Sequence, residues 1–265
     1  MTLRLGTAGR PLVIALACAV TLGLAGCGNQ HTGAGYANGG SGVAYAAEPL
    51  AKDEIMRAMT VAARKAGSAH VAMTMSGAAS LTAKGDVSYG KGKPAMAMTM
   101  SMPGMARGRI DMRSVGGLFY VQIPGVTPPG KFIAFDPDDK NSPLARSFAG
   151  TTEQMNPMSN ITAVSSSVRS ADRVGKQTMH GVEVEHYKVT VDTTRIVKQL
   201  GARAARQAGM PAKLIYDLWL DAKHQLHRMT FELSGLSFEA NMSRWGKPIK
   251  VKRPAADAIA TMPQA

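Results

Sequence analysis

The sequence predicts an α+β protein, a large curved antiparallel sheet wrapped around a few helices. Three observations point there. Ala95 to Met102 carries methionine on every even position and a small residue on every odd one, and a period of two is that of a β-strand. Similar alternations recur from His70 to Trp245, broken by Gly, Pro and Asp turns, enough for nine or so strands. Only two stretches, beginning near Leu50 and Asp192, carry an apolar stripe at helical spacing. A chain of 265 residues, 45% hydrophobic and 5% aromatic, suits one large domain or two small ones; a single domain is expected here over residues 48–265.

The first residues predict export. Arg4 and Arg10 precede an apolar run from Leu12 to Ala25, closed by Leu24-Ala25-Gly26-Cys27. This is the pattern of a secretory signal ending in a lipobox, residues 1–27. Small residues at Ala25 and Gly26 admit a peptidase next to Cys27, whose thiol carries a diacylglycerol. A plain secretory signal or an uncleaved anchor would share the apolar run, but the cysteine at its end and the polar stretch after it favour lipidation at Cys27. Cleavage removes Cys18, so no disulfide, thiolate metal cage or cysteine nucleophile is expected. It also removes Arg4 and Arg10, leaving 29 basic residues against 18 acidic ones, a net charge of +11. That excess suits the anionic surface of a bilayer. Nucleic acid is not expected as a partner, because no Arg/Lys-rich helix with interleaved aromatics occurs.

The elements follow in order. Gly28 to Ala47, rich in Gly, Asn, Ser and Ala, reads as a flexible tether. Pro49 opens a helix running to Ala66, with Ile55, Met59, Ala62, Ala63 and Ala66 on one stripe and Gly67 as its stop. Strands are expected from His70, over Asp86 to Tyr89, and in a three-strand meander from Pro94 to Ile123, turned at Pro103-Gly104 and Gly116-Gly117. Lys131 to Phe135 is another, ended by Asp136-Pro137-Asp138-Asp139, a solvated acidic turn lacking the glycine and distal glutamate of a calcium loop. Short helical turns are expected over 142–164. Strands resume at Val168 and Gly181, where the apolar parity changes between Val184 and Tyr187 and so predicts a bulge near Glu185-His186. A helix from Asp192 to Gln207 and strands over Leu214–Leu220, His227–Leu233 and Leu236–Trp245 complete the domain, with a short tail from Pro254.

Catalytic chemistry finds no support. The histidines are scattered over tether, strands and turns, and His224-x-x-His227 would put two rings on opposite faces of a strand. No nucleophile elbow, phosphate loop or His-Glu-x-x-His helix occurs. Glu183 and Glu185 read as an exposed strand face rather than a glycosidase pair. No enzyme activity, cofactor or metal is expected.

The apolar strand faces are more informative. They comprise Met73 and Met75; Met96, Met98, Met100 and Met102; Ile110 and Met112; Phe119, Val121 and Ile123; Leu214, Tyr216, Leu218 and Leu220; Met229, Phe231 and Leu233; and Leu236, Phe238 and Met242. A one-sided sheet must bury that face on helices or curl around them. With two good helices and few rings, it either forms a filled core or leaves a space lined by soft, polarisable side chains, which suits an acyl chain.

The chain resembles the actinobacterial LppX/LprAFG lipoproteins, a family similar in fold to the periplasmic LolA carrier. The resemblance lies in the lipobox at Cys27, Ser68-Ala69-His70-Val71-Ala72-Met73-Thr74-Met75, Gly85-Asp86-Val87-Ser88-Tyr89 and Pro94-Ala95-Met96. It continues through Arg113 to Val121, Gly130-Lys131-Phe132, His186 to Asp192, Asp217-Leu218-Trp219-Leu220-Asp221 and Trp245-Gly246-Lys247-Pro248. It implies an open half-barrel enclosing a hydrophobic cavity for lipids or acylated glycolipids carried between membrane layers, and no catalytic residues. The expectation is a monomer, lipid-anchored on the extracytoplasmic face of the cell membrane. The competing class is an anchored interaction or sensor module whose core is filled.

Overall fold

The computed structural model of the chain describes residues 49–77, 80–89, 95–103, 108–139, 165–194 and 211–260. Cys27 and the segment before it, the tether, the turns expected over 142–164 and the helix expected after Asp192 lie outside the described residues, save for the few residues up to 194.

Helix α1 (Ile55–Ala66) starts later than the sequence suggests, because the Glu54 and Ile55 N–H groups both donate to the Ala51 carbonyl and spend residues 52–54 on a turn. It stops where expected. Gly67 takes φ +81°, a left-handed conformation that costs glycine nothing, and donates to the Ala63 carbonyl. Ile55, Met56, Met59, Ala62 and Ala63 form its buried stripe, with Arg64 and Lys65 favourably placed at the negative end of the helix dipole.

Among the described residues twelve strands make one open sheet. They are β1 (Ser68–Gly77), β2 (Leu81–Ser88), β3 (Ala95–Ser101), β4 (Ile110–Val115), β5 (Leu118–Gln122), β6 (Phe132–Phe135), β7 (Val168–Met179), β8 (Val182–Asp192), β9 (Lys213–Asp221), β10 (Leu226–Leu233), β11 (Leu236–Ser243) and β12 (Ile259–Ala260). Their order is β12-β6-β5-β4-β3-β2-β1-β11-β10-β9-β8-β7, so the end strands do not meet. Two antiparallel meanders, β1–β6 and β7–β11, are stitched together by β1 against β11 in a register from His70 opposite Ser243 to Gly77 opposite Leu236. Among the described strands only β12 runs parallel, beside β6.

Helix α1 covers one face, called inner below. Twelve residues at about 1.5 Å each reach about 18 Å, close to the four strand spacings of about 4.8 Å that separate β1 from β8. The chain spans that distance: Gly67 leads directly into β1, while the Leu50 N–H donates to the Tyr187 hydroxyl on β8 at 3.2 Å. The helix therefore lies across this half of the sheet.

Several expectations are corrected. The second strand begins at Leu81, not Asp86; Leu81, Ala83 and Val87 alternate inward, but Gly85 interrupts the apolar pattern. The bulge expected in β8 lies in its partner. β8 pairs without interruption against β9, while β7 carries extra residues at Arg169 and Val174. The parity change in β8 is real for another reason, since Val184 is buried on the outer face while Tyr187, Val189 and Val191 are buried on the inner one. The residues after Pro254 are more than a tail. A 3₁₀ turn at Ala256–Ala258 leads to β12, which extends the sheet.

The route to β12 is pinned along one end of the strands. The Gly246 N–H donates to the Ser68 carbonyl, and the Ser68 hydroxyl donates to the Lys247 carbonyl. Trp245 stacks on Tyr89 with ring centres 6.0 Å apart and donates Nε1 to the Leu226 carbonyl. Arg113 reaches the Lys252 carbonyl while lying over the Phe132 ring, and Lys131 reaches the Asp257 carbonyl. Pro254 is buried, as are Tyr120 and Phe132 on the outer face of β5 and β6.

Candidate functional site: the inner face of the sheet

Register brings every candidate apolar strand residue onto the inner face. One row reads Ile110, Met100, Ala83, Met73, Ala240, Met229, Leu218, Tyr187 from β4 across to β8. A neighbouring row runs Val121, Met112, Met98, Gly85, Val71, Met242, and another Leu81, Met75, Phe238, Phe231, Tyr216, Val189. Met102 and Ile123 follow the same alternation just past the ends of β3 and β5.

Packing divides that face. Beneath α1, a single cluster joins Ile55, Met56, Met59 and Ala63 to Val71, Val87, Val189, Leu214, Leu218, Leu220, Met229, Phe231, Phe238 and Met242, with Met73, Met96, Tyr216 and Leu233 packed against it. Ring contacts reinforce it: Phe231 lies 4.8 Å from Phe238 and 5.1 Å from Tyr216. A second, smaller cluster holds Val121 and Phe135, with Ile110, Met112, Phe119 and Ile123 around them. Between the two, β3 carries Met98, Met100 and Met102. Among the described residues these three, and Met75 across β2, belong to neither cluster.

The seam is graded along the strand. Met98 is only 5% exposed, its sulfur lying over Gly85, whose missing side chain makes the room. Met75, Met100 and Met102, toward the opposite strand ends from α1's C-terminus, are half-buried. Flexible thioethers on a face that tapers from packed to partly open can adapt to an irregular apolar occupant.

Among the described residues the inner face carries charge chiefly at its β7–β8 side, where the ion pairs Arg173–Glu185 and Lys176–Glu183 lie. Arg173 pairs with Glu185 at 2.9 Å, and Glu185 accepts a 2.7 Å bond from the Tyr187 hydroxyl, which in turn accepts from Leu50. Glu185 is therefore half-buried and partnered, a correction to its expected exposure; Glu183 alone is exposed, paired with Lys176. Burial, then the bond to Glu185, pushes the Tyr187 phenol above its ordinary pKa. The group locks the chain entering α1 onto β8.

Much of the outer face over β1, β2 and β8–β11 is polar. His70, His186 and His227 each share a hydrogen bond with one aspartate, Asp86, Asp217 and Asp221 respectively, and His224 sits in the β9–β10 turn at φ +60°. Trp219 lies between the His186 ring, 4.5 Å away, and the Arg228 guanidinium, 5.0 Å away. Asn241, then Arg228, hold the Glu239 carboxyl below its usual range. Among the described residues no three His, Cys, Asp or Glu side chains converge as metal ligands. Asp136 caps the turn after β6 by accepting from the Asp138 N–H. Sequence reasoning missed this layering of Trp219, although an aromatic beside Asp217 and Asp221 on the odd-numbered face of β9 signalled it.

Fold and face together define an open-sheet protein with one helix-covered apolar side. The LppX_LprAFG lipoprotein family profile matches residues 51–251, and the chain belongs to that family. Among solved structures, the lipoprotein LppX of Mycobacterium tuberculosis superposes with a TM-score of 0.51 at 16% identity, over 76% of this chain and 98% of its own. LprF from Mycobacterium bovis gives 0.50 at 15% identity, over 77% of this chain and 97% of its own. At such identities the likeness shows the fold. No curated protein matches the chain by sequence.

Proposed function

We propose that this lipoprotein binds a lipid or acylated glycolipid along the inner face and transfers it across the cell envelope, held to the membrane through acylated Cys27. The observation that carries the reading is the seam between the two clusters, where a strand of methionines runs from buried Met98 to half-buried Met100 and Met102. Apolar contact area supplies affinity for an acyl chain at about 25 cal/mol per Å² removed from water. The absence of fixed charge on the described inner face beside the seam imposes no headgroup there. Membership of a lipoprotein family agrees with an envelope location.

Purification from a lipid-containing host, followed by solvent extraction and mass spectrometry, should recover a stoichiometric lipid beyond the anchor's own acyl groups. Recovering none from several hosts would leave an anchored module with a filled core.

A further inference from the structure

Among the described residues the net positive charge is concentrated in one strip. Residues 244–253, Arg-Trp-Gly-Lys-Pro-Ile-Lys-Val-Lys-Arg, carry Arg244, Lys247, Lys250, Lys252 and Arg253 with no acidic residue among them. All five cations are exposed, and none forms an ion pair with another described residue. Elsewhere among the described residues the charges balance: over β7 and β8, Arg169, Arg173 and Lys176 are each matched by Asp192, Glu185 or Glu183. The strip accounts for five of the net +11 left after removal of Arg4 and Arg10.

It is also held firmly. Trp245, Ile249, Val251 and Pro254 turn toward the protein while the cations turn out. The backbone is fastened to Ser68 at one end and Arg113 at the other, and the Arg253 guanidinium passes close to Gly116 in the β4–β5 turn. The cations thus line the rim formed by the start of β1 and the end of β4, presented by a fixed backbone rather than a loose tail.

We infer that this rim is a docking surface for the anionic headgroups of a bilayer. Five exposed cations on a pinned edge, without an ion-pair partner among the described residues, match a plane of phosphate charge, each contributing by attraction that weakens with salt. In a lipoprotein the bilayer is the anionic surface within reach of the chain. Met75, Met100 and Met102 sit toward the opposite strand ends, so a domain seated on the rim holds the methionine end away from that bilayer. The inference does not depend on cargo binding.

The test uses the full chain in nanodiscs of phosphatidylcholine alone or with about one-third phosphatidylglycerol, probed with an amine-acylating reagent and read by peptide mass spectrometry. In the anionic discs the reactivity of Lys247, Lys250 and Lys252 should fall by about an order of magnitude relative to neutral discs, and return at about 0.5 M salt. Lys188 and Lys213, on the outer face of β8 and the far end of β9, should be unchanged. The combined variant Lys250→Gln, Lys252→Gln, Arg253→Gln should restore Lys247 reactivity, with an unchanged melt showing that it still folds. Equal reactivity in both discs overturns the inference. So does protection that appears only when envelope proteins are added, which would assign the rim to a protein partner.

Discussion

Replacing Met100 and, separately, Met98 with tryptophan distinguishes a lipid-lined face from a filled core. Both methionines point inward from β3, but Met98 is buried over Gly85 whereas Met100 is half-buried and outside both clusters. At Met100 the added ring should enter the space assigned to the lipid, abolishing loading while leaving the lipid-free protein close to the parent in stability. At Met98 the same ring overpacks a closed site, at a cost of about 1–3 kcal/mol. For a domain of this size that is a fall in Tm of about 2–12 °C, at about 2–4 °C per kcal/mol. Loading must be separated from folding, because a bound lipid at a hundred times its Kd itself adds about 2.7 kcal/mol. Calorimetry on delipidated and reloaded samples, with lipid counted by mass spectrometry, makes that separation. Substitutions at Ala97 and Thr99, which face outward, serve as controls. If Met100→Trp keeps its lipid, or if its delipidated form melts as low as Met98→Trp, the methionine seam is ordinary core and the carrier reading fails.

Cys27→Ala should release the protein into the soluble fraction when membranes are washed at high ionic strength; retention there would show that the apolar run Leu12 to Ala25 is the anchor. Gly85→Ala should cost about 1–3 kcal/mol in urea denaturation, because a Cβ there lies 2.7 Å from the Met98 sulfur and clashes with the Ala97 carbonyl. Gly175→Ala, with open space around it, should be within about 0.5 kcal/mol of the parent. Burial raises the phenol pKa of Tyr89, and of Tyr187 with help from Glu185. Their contribution to stability is therefore complete below the unfolded value of about 10 and is lost as pH rises above it. Urea midpoints should fall as pH rises above about 10, and Tyr89→Phe should flatten that fall; an unaltered slope would remove Tyr89 from the account.

Much of the fold was legible because a strand's side-chain period is local. The even methionines of β3, the odd apolar residues of β5 and β10 and the even ones of β9 declare their inward faces without knowledge of any partner, and the Gly67 stop needs only the αL preference of glycine. The family resemblance was likewise carried by short motifs along those strands. What the sequence could not declare were relations between distant segments. Nothing in β1 or β11 alone states that they pair, yet that pairing joins two meanders into one sheet. The bulge was misplaced because a parity change in β8 can arise from a bulge or from burial on both faces, and only the packing of Val184 and Tyr187 distinguishes them. The residues after Pro254 have no strand signal of their own, since a two-residue strand exists only by bonding to β6. The division of the inner face was also tertiary. Met73 and Met100 are equivalent in pattern, but α1 crosses from β1 to β8 and packs against the first, leaving the second beyond its reach, because a twelve-residue helix is long enough to cover only part of a twelve-stranded sheet.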